Sequence, residues 1–297
     1  MDFLRPTSWK EALAVKAERP GVVPTAGGTD VMVENNFDHD RPEYLMDLHR
    51  IRDLGEWEVL EDSGRLETSA PYTRITENLR AELPGLALAS HTVASPHIRN
   101  RGGVGGNLGT ASPGGDAYPA LLATGAEGEA EPAARSTRTI PIGDFHTGVK
   151  RNALAPDELI RAVHIEKGGG PQQFSKVGPR NAMVMAVCPF GLALDPTPRT
   201  VRTGIGSAAP TPVRAKAAEE FLDAALDEGG FCDNGKSVKP SIAKRFAGLC
   251  SASCNPIDDV RGTAGHRRNA VGVMARRTLS WVWQAYRGAR PAAEGAA

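Results

Sequence analysis

The stretch SPHIRNRGGVGGNLGTASPGGD, residues 95–116, decides how this chain is read. Four glycines fill five positions, at Gly102, Gly103, Gly105 and Gly106, and Asn107 closes the run with Thr110 and Ser112 behind it. Without a Cβ in the way, backbone N–H groups can approach an anion closely. An extended polar backbone of this kind suits a dinucleotide. Its phosphates need N–H donors, and its ribose hydroxyls need an acceptor, which Asp116 can supply. The plainer alternative is a glycine-rich surface loop that binds nothing. A second segment, TAGGTD at 25–30, follows the β-prone residues 22–25. Gly27 and Gly28 let amides turn inward and Thr29 adds a hydroxyl, so a pyrophosphate could be cradled with no lysine or arginine. A simple strand-to-helix turn also uses Gly-Gly. Neither segment carries the G-x-G-x-x-G dinucleotide fingerprint or the Walker pattern.

Composition narrows the function classes. The chain has 297 residues, 40% apolar and 24% charged, which is enough for two or three compact units of ordinary globular character. Gly (33) and Pro (22) are in excess, pointing to many turns and backbone-lined sites. Lys plus Arg (35) equals Asp plus Glu (35), so no basic excess is available for a phosphate backbone, and nucleic acid is a poor partner. An aromatic content of 5% also argues against base-stacking platforms. Four cysteines, Cys188, Cys232, Cys250 and Cys254, are too few for a disulfide scaffold and form no four-cysteine cluster pattern. Cys250 and Cys254 share a helix face if helical, but no second ligand pair follows, so buried thiols are expected. The opening MDFLRPTSWKEAL lacks the core of a signal peptide, and no run of about 18 apolar residues occurs. A soluble cytoplasmic protein without membrane spans is expected.

Along the chain, Ser8 and Glu11 fit a capping box for a helix over 8–18. Residues 22–25 and 44–48 read as short strands, giving a small β/α unit over 1–55. Strands are expected at 57–60 and 65–69 around a turn at 61–64, and a helix starting near Thr73 or Thr76. Leu83-Pro84-Gly85 should break the chain before a helix over 86–94, and another helix is expected over 117–124. Residues 140–145 and 158–165 read as sheet edges, closing a mixed unit over 56–170 at the Gly168-Gly169-Gly170 linker. Beyond it, 173–177, 183–194 and 200–207 alternate as antiparallel strands, followed by helices at 215–226, 242–249 and 267–286. Residues 288–297 form a small-residue tail expected to be disordered. This divides the chain into 1–170, 171–287 and the tail.

TAGGTD, SPHIRNRGGVGGN and ASPGGD together resemble the FAD-binding subunit of the molybdenum hydroxylases, the xanthine dehydrogenase, carbon monoxide dehydrogenase and aldehyde oxidoreductase group. The likeness continues through RPTSWKEAL at 5–13, LMDL at 45–48, ALAPDELI at 153–160, FSKVGPRNAM at 174–183 and PIDDVRG at 256–262. It implies an α+β fold, a two-subdomain FAD-binding (PCMH-type) unit followed by a smaller domain of antiparallel sheet and helices. It also implies a heteromeric complex. In the family, a molybdopterin-binding large subunit oxidises substrate, a [2Fe–2S] small subunit relays electrons, and non-covalent FAD passes them to NAD or another acceptor. Carried over, Ala26, Gly27, Gly28, Thr29 and Asp30 would contact the FAD pyrophosphate, as would Gly103, Val104, Gly105, Gly106 and Asn107, with Thr110 behind them. Asp116 would hold the adenosine ribose, Ile160 would give an apolar contact, and Lys176 would lie near the flavin ring as a tuning cation rather than a proton-transfer group. Lys176 could equally be an exposed strand lysine.

This chain departs from the family in places. His97 stands where Gln is usual, which makes a contact pH-dependent. Val93 replaces an aromatic found in some relatives. The glutamates of EGEAE at 127–131 interrupt a β-branched region and put that strand's stability in question. No Arg-Gly-His tether for covalent flavin and no nucleophilic triad is present. A self-sufficient flavin oxidoreductase of related fold and a flavin-free scaffold subunit remain as alternative functions.

Overall fold

The computed structural model describes residues 1–36, 41–181 and 183–289. The first unit is β1 (Asp2–Leu4), α1 (Trp9–Glu18), β2 (Val23–Thr25), α2 (Val31–Asn36) and β3 (Tyr44–Asp47). Its strands form a parallel sheet in the order β1-β3-β2. Ser8 caps α1 by accepting from the Glu11 N–H at 3.2 Å. The reciprocal bond reaches one residue further back than a standard capping box, because the Glu11 carboxylate accepts from Thr7 N at 2.7 Å. Ala12, Leu13, Met46 and Leu54 form the unit's core, which Leu159 of the next unit completes. The carboxyl end of β2 therefore opens onto Ala26 and the two glycines, the edge where parallel sheets commonly hold ligands.

The second unit holds β4 (Trp57–Val59), β5 (Ser63–Glu67), α3 (Tyr72–Asn78), α4 (Pro84–His91), α5 (Pro96–Arg99), α6 (Val104–Thr110) and α7 (Ala117–Ala123). It continues through β6 (Glu127–Pro132), β7 (Arg138–Pro141), α8 (Ile142–Phe145), the hairpin strands β8 (His146–Gly148) and β9 (Arg151–Asn152), and β10 (Glu158–Glu166). A five-stranded antiparallel sheet runs β4-β5-β10-β6-β7. Three expectations are corrected. Pro84 does not break the chain but opens α4 at its first position, where no N–H is needed. Residues 142–145 are a helical turn, not sheet. The glycine-rich stretch is not extended, because 96–99 and 104–110 are both helical. The strand questioned for its glutamates pairs on both edges. Gly128, Ala130 and Pro132 face inward, while Glu129 takes Arg65 and His164 and Glu131 accepts from Trp9 Nε1 at 2.8 Å. Alternation points the glutamates away from the core and sends Glu129 and Glu131 to partners.

The third unit is β11 (Gln172–Val177), β12 (Cys188–Asp195), β13 (Thr200–Ile205), α9 (Lys216–Glu228), α10 (Phe231–Asn234), α11 (Pro240–Ala252) and α12 (Ala264–Ala289). The sheet is antiparallel, β11-β12-β13. The expected strand over 183–194 begins only at Cys188. Gly288 and Ala289, placed in the expected tail, close α12 instead, and the rest of that stretch, 290–297, lies outside the described residues. All four cysteines are buried, and Cys254 Sγ donates to the Cys250 carbonyl at 3.4 Å. No group of three metal-capable side chains occurs among the described residues. This unit is packed hard against the second. A Cβ at Gly191 or Gly204 would overlap the Pro119 carbonyl of α7, and Phe174 of β11 belongs to the second unit's core.

Candidate functional site

The two glycine segments, far apart in sequence, touch. A Cβ at Gly27 would overlap the Arg101 carbonyl, and one at Gly102 would come within 3.2 Å of Thr29 Oγ1. Residues 25–30 leave β2 and enter α2 through Gly28, whose φ of +73° lies in the left-handed region. Arg101 and Gly102 lead into α6. The glycines of α6 differ in what they face. Gly105 lies on Thr68, to whose carbonyl its own N–H donates at 3.1 Å, and Gly103 lies on Ala70, 2.5 Å from where a Cβ would stand. Gly106 is exposed with nothing within 4 Å. Two glycines thus seat the helix on the strand end behind it, and the third leaves a bare backbone face outward. The amides of Val104 and Gly106, in the first turn, make no backbone hydrogen bond among the described residues. Asn107 is wedged beside Gly115, with its Oδ1 buried and unpartnered. Free amides, an orphaned amide oxygen and a face cleared of side chains suit a ligand of phosphates and hydroxyls.

Asp30 does not present a bare carboxylate to that face. Lys150 Nζ donates to Asp30 Oδ2 at 3.0 Å and to Glu34 Oε1 at 2.6 Å. Lys150 sits at the tip of the β8–β9 hairpin with φ at +57°, and its own N–H donates to the Ala111 carbonyl at 3.0 Å. Asn152 of the same hairpin donates from Nδ2 to the Gly109 carbonyl at 2.8 Å. The hairpin therefore holds α2 through one residue and the end of α6 through two.

Asp116 and Lys176, expected at the ribose and at the flavin ring, form one ion pair. Lys176 Nζ lies 2.6 Å from Asp116 Oδ2, with the two side chains 7% and 9% exposed. Lys176 is thus not an exposed strand lysine. It also donates to the Thr92 carbonyl at 3.0 Å, so one ammonium ties β11 to the start of α7 and the end of α4. Burial pushes the Asp116 carboxyl up to about 6, against the opposing pull of Lys176. Asp116 Oδ1 and the Tyr72 hydroxyl are both buried without a partner, and burial, with the Asp116 charge, raises Tyr72.

The other expected residues lie around this core. Ala26 and Thr29 are half-buried in the β2–α2 turn, and Thr110 is half-buried at the end of α6. Ile160 is buried on β10, 3.7 Å from where a Gly109 Cβ would stand, so it supports α6 from behind. His97 is exposed on α5, and Val93 packs against the second core. Sequence reasoning missed Thr68, Tyr72, Arg101 and Lys150. Arg101 and Thr68 act through backbone atoms, which carry no side-chain signature. Lys150 meets partners 116 and 120 positions away, which no local pattern indicates.

Residues 1–166 match the family model described as the FAD binding domain in molybdopterin dehydrogenase, and residues 173–282 match the CO dehydrogenase flavoprotein C-terminal domain. The chain is 30% identical over 228 residues to the putative xanthine dehydrogenase FAD-binding subunit of Escherichia coli K12, covering 73% of this chain and 77% of the relative. It is 30% identical to the nicotinate dehydrogenase FAD-subunit of Eubacterium barkeri, over 74% of this chain and 79% of that one. Among solved structures, a carbon monoxide dehydrogenase chain from Hydrogenophaga pseudoflava superposes with a TM-score of 0.86 at 25% identity, over 96% of this chain and 97% of the other. The paired glycine loops, with their free amides and cleared backbone face, are thus found in a chain that belongs to the FAD-binding family of the molybdopterin dehydrogenases, with a CO dehydrogenase flavoprotein C-terminal domain.

Proposed function

We propose that this chain is the electron-transferring FAD subunit of a heteromeric molybdenum hydroxylase. It would take electrons from a [2Fe–2S] small subunit supplied by a molybdopterin large subunit, and deliver them to NAD⁺ or another acceptor in the cytoplasm. The observation that carries the reading is the contact of the two glycine loops beside a bare Gly106, with the Val104 and Gly106 amides left without a backbone partner. FAD, once bound, exchanges electrons at its flavin ring. The chain's own residues hold and orient it. The amides of Val104 and Gly106 and the β2–α2 turn would receive the pyrophosphate, Lys150 neutralises Asp30 beside it, and Asn107 and Asp116 offer buried acceptor oxygens. The Lys176–Asp116 pair joins the seat to β11. We further assign residues 1–170 to the FAD-binding domain, with subdomains 1–55 and 56–170, and residues 171–287 to the C-terminal domain.

The test is reconstitution. The isolated chain should bind FAD and show flavin absorbance, yet leave substrate unoxidised until the molybdopterin and iron–sulfur subunits are added. A chain that oxidises the substrate alone would favour a self-sufficient flavin oxidoreductase. A colourless chain that FAD does not stabilise would indicate a scaffold.

A further inference from the structure

The chain is neutral as a whole, but its charges are segregated. Between Lys236 and Arg287 ten side chains are basic and only Asp258 and Asp259 are acidic. Asp259 is already held by Arg267 at 2.6 Å. Both acids precede α12, about 18 Å along the helix axis from Arg276 at 1.5 Å per residue. A groove of about 360 Å³ lies there, between the second half of α12 and the chain leading into α11. Its floor is Val238, Leu279 and Trp283, and Arg276, Arg277 and Arg287 line it. Arg287 donates to Ser237 Oγ at 2.9 Å. Arg276 and Arg277 are exposed and make no hydrogen bond or ion pair among the described residues. Trp281 stands one turn from Arg277 and is 44% exposed.

We propose that this groove docks an acidic segment of one of the partner subunits, with an apolar side chain at its centre; the inference rests on the heteromeric reading above. Unpaired guanidiniums offer forked donors that match carboxylates, and with no acidic side chain in its lining the groove attracts an anionic chain. The apolar floor selects the class of partner. A phosphate backbone or a layer of lipid headgroups would satisfy the arginines and leave the half-buried Val238 and the exposed Trp281 unused. A polypeptide segment fills both rim and floor. Arg and Trp are also the residue types enriched where protein interfaces concentrate their binding energy, with Lys depleted.

Assembly of the full-length, FAD-loaded chain with both partner subunits, measured by sedimentation velocity at rising ionic strength, tests this. The wild-type chain should assemble, more weakly as salt increases. Arg276→Glu with Arg277→Glu should lower the affinity at least about 100-fold while flavin content and melting temperature match wild type. Trp281→Ala should lower it by about tenfold or more, and Arg276→Lys with Arg277→Lys should restore part of what the glutamates remove. Unchanged assembly of the glutamate variant would overturn the inference. So would wild-type binding to phosphatidylglycerol vesicles or to a short DNA duplex that the glutamate variant loses. Failure of the wild-type chain to assemble at all would instead count against the proposed function.

Discussion

The Lys176 ammonium, on a side chain only 7% exposed, keeps a carboxylate at 2.6 Å, and that pairing has measurable consequences. Removing one partner strands the other charge inside the protein. Asp116→Asn should therefore cost about 3–5 kcal/mol of stability, and Asp116→Leu with Lys176→Met should recover most of it, as followed by chemical denaturation. The carboxyl also sets a pH trend. Because Asp116 titrates near 6 in the fold and near 3.8 in the open chain, the fold binds the extra proton between those values. Its contribution is full below about 3.8 and is lost as pH rises through 6. Melting temperatures of wild type should carry this downward component across that window, and the Leu/Met variant should lack it. Both residues were visible as candidates in the sequence. Their pairing was not, because 60 positions separate them and only β11 folding onto α4 and α7 brings them together.

Among the elements, regular alternation was readable and special backbone was not. The strand 127–132 shows why. Its glutamates look wrong for a strand by residue type, but their period of two keeps them off the core and sends Glu129 to Arg65 and His164 and Glu131 to Trp9. The glycine-rich stretch misled in the opposite direction. Glycine disfavours helix intrinsically, and tertiary contact overrides that preference here, since only a helix with bare positions at Gly103 and Gly105 can lie on Ala70 and Thr68. The β8–β9 hairpin gives the next prediction. Lys150 spans α2 and α6, so it fixes how the two loops of the proposed FAD seat lie against each other. Lys150→Met should raise the FAD dissociation rate, measured by flavin fluorescence recovery. Lys150→Arg should restore it, and the effect should shrink at high salt because the pair is half-exposed. An unchanged rate in the Met variant would leave the hairpin without a role in holding FAD.

For the whole molecule, the second and third units behave as one packed body rather than beads on the Gly168–Gly170 linker. The N-terminal turn of α7 rests on two glycines of the third sheet, and Phe174 crosses into the second core. Gly204→Ala would force that helix off the sheet and should destabilise by about 1–3 kcal/mol, the range for an overpacked core. Calorimetry should show this as a shift of a single transition shared by both units, and a separate early transition of the third unit alone would contradict the packing. The linker glycines marked where one sheet ends and the next begins, but not how tightly the sheets join, because Gly191 and Gly204 carry no pattern of their own. Net charge misled on the same scale, since a balanced total concealed a strongly basic α11–α12 region.

The central claim is that the outward face of α6, bare at Gly106, is where the FAD phosphates rest. Titration of the apo chain with FAD, wild type against Gly106→Val, tests it most directly. Outside its own helix turn nothing lies within 4 Å of a Cβ at that position, so the added side chain enters open space where a bound ligand would meet it. The expected result is stoichiometric binding by wild type and a severe loss of flavin in the variant, with an apo melting temperature equal to wild type or slightly raised by the change in helix preference. Equal flavin content in the two proteins would place the phosphates elsewhere.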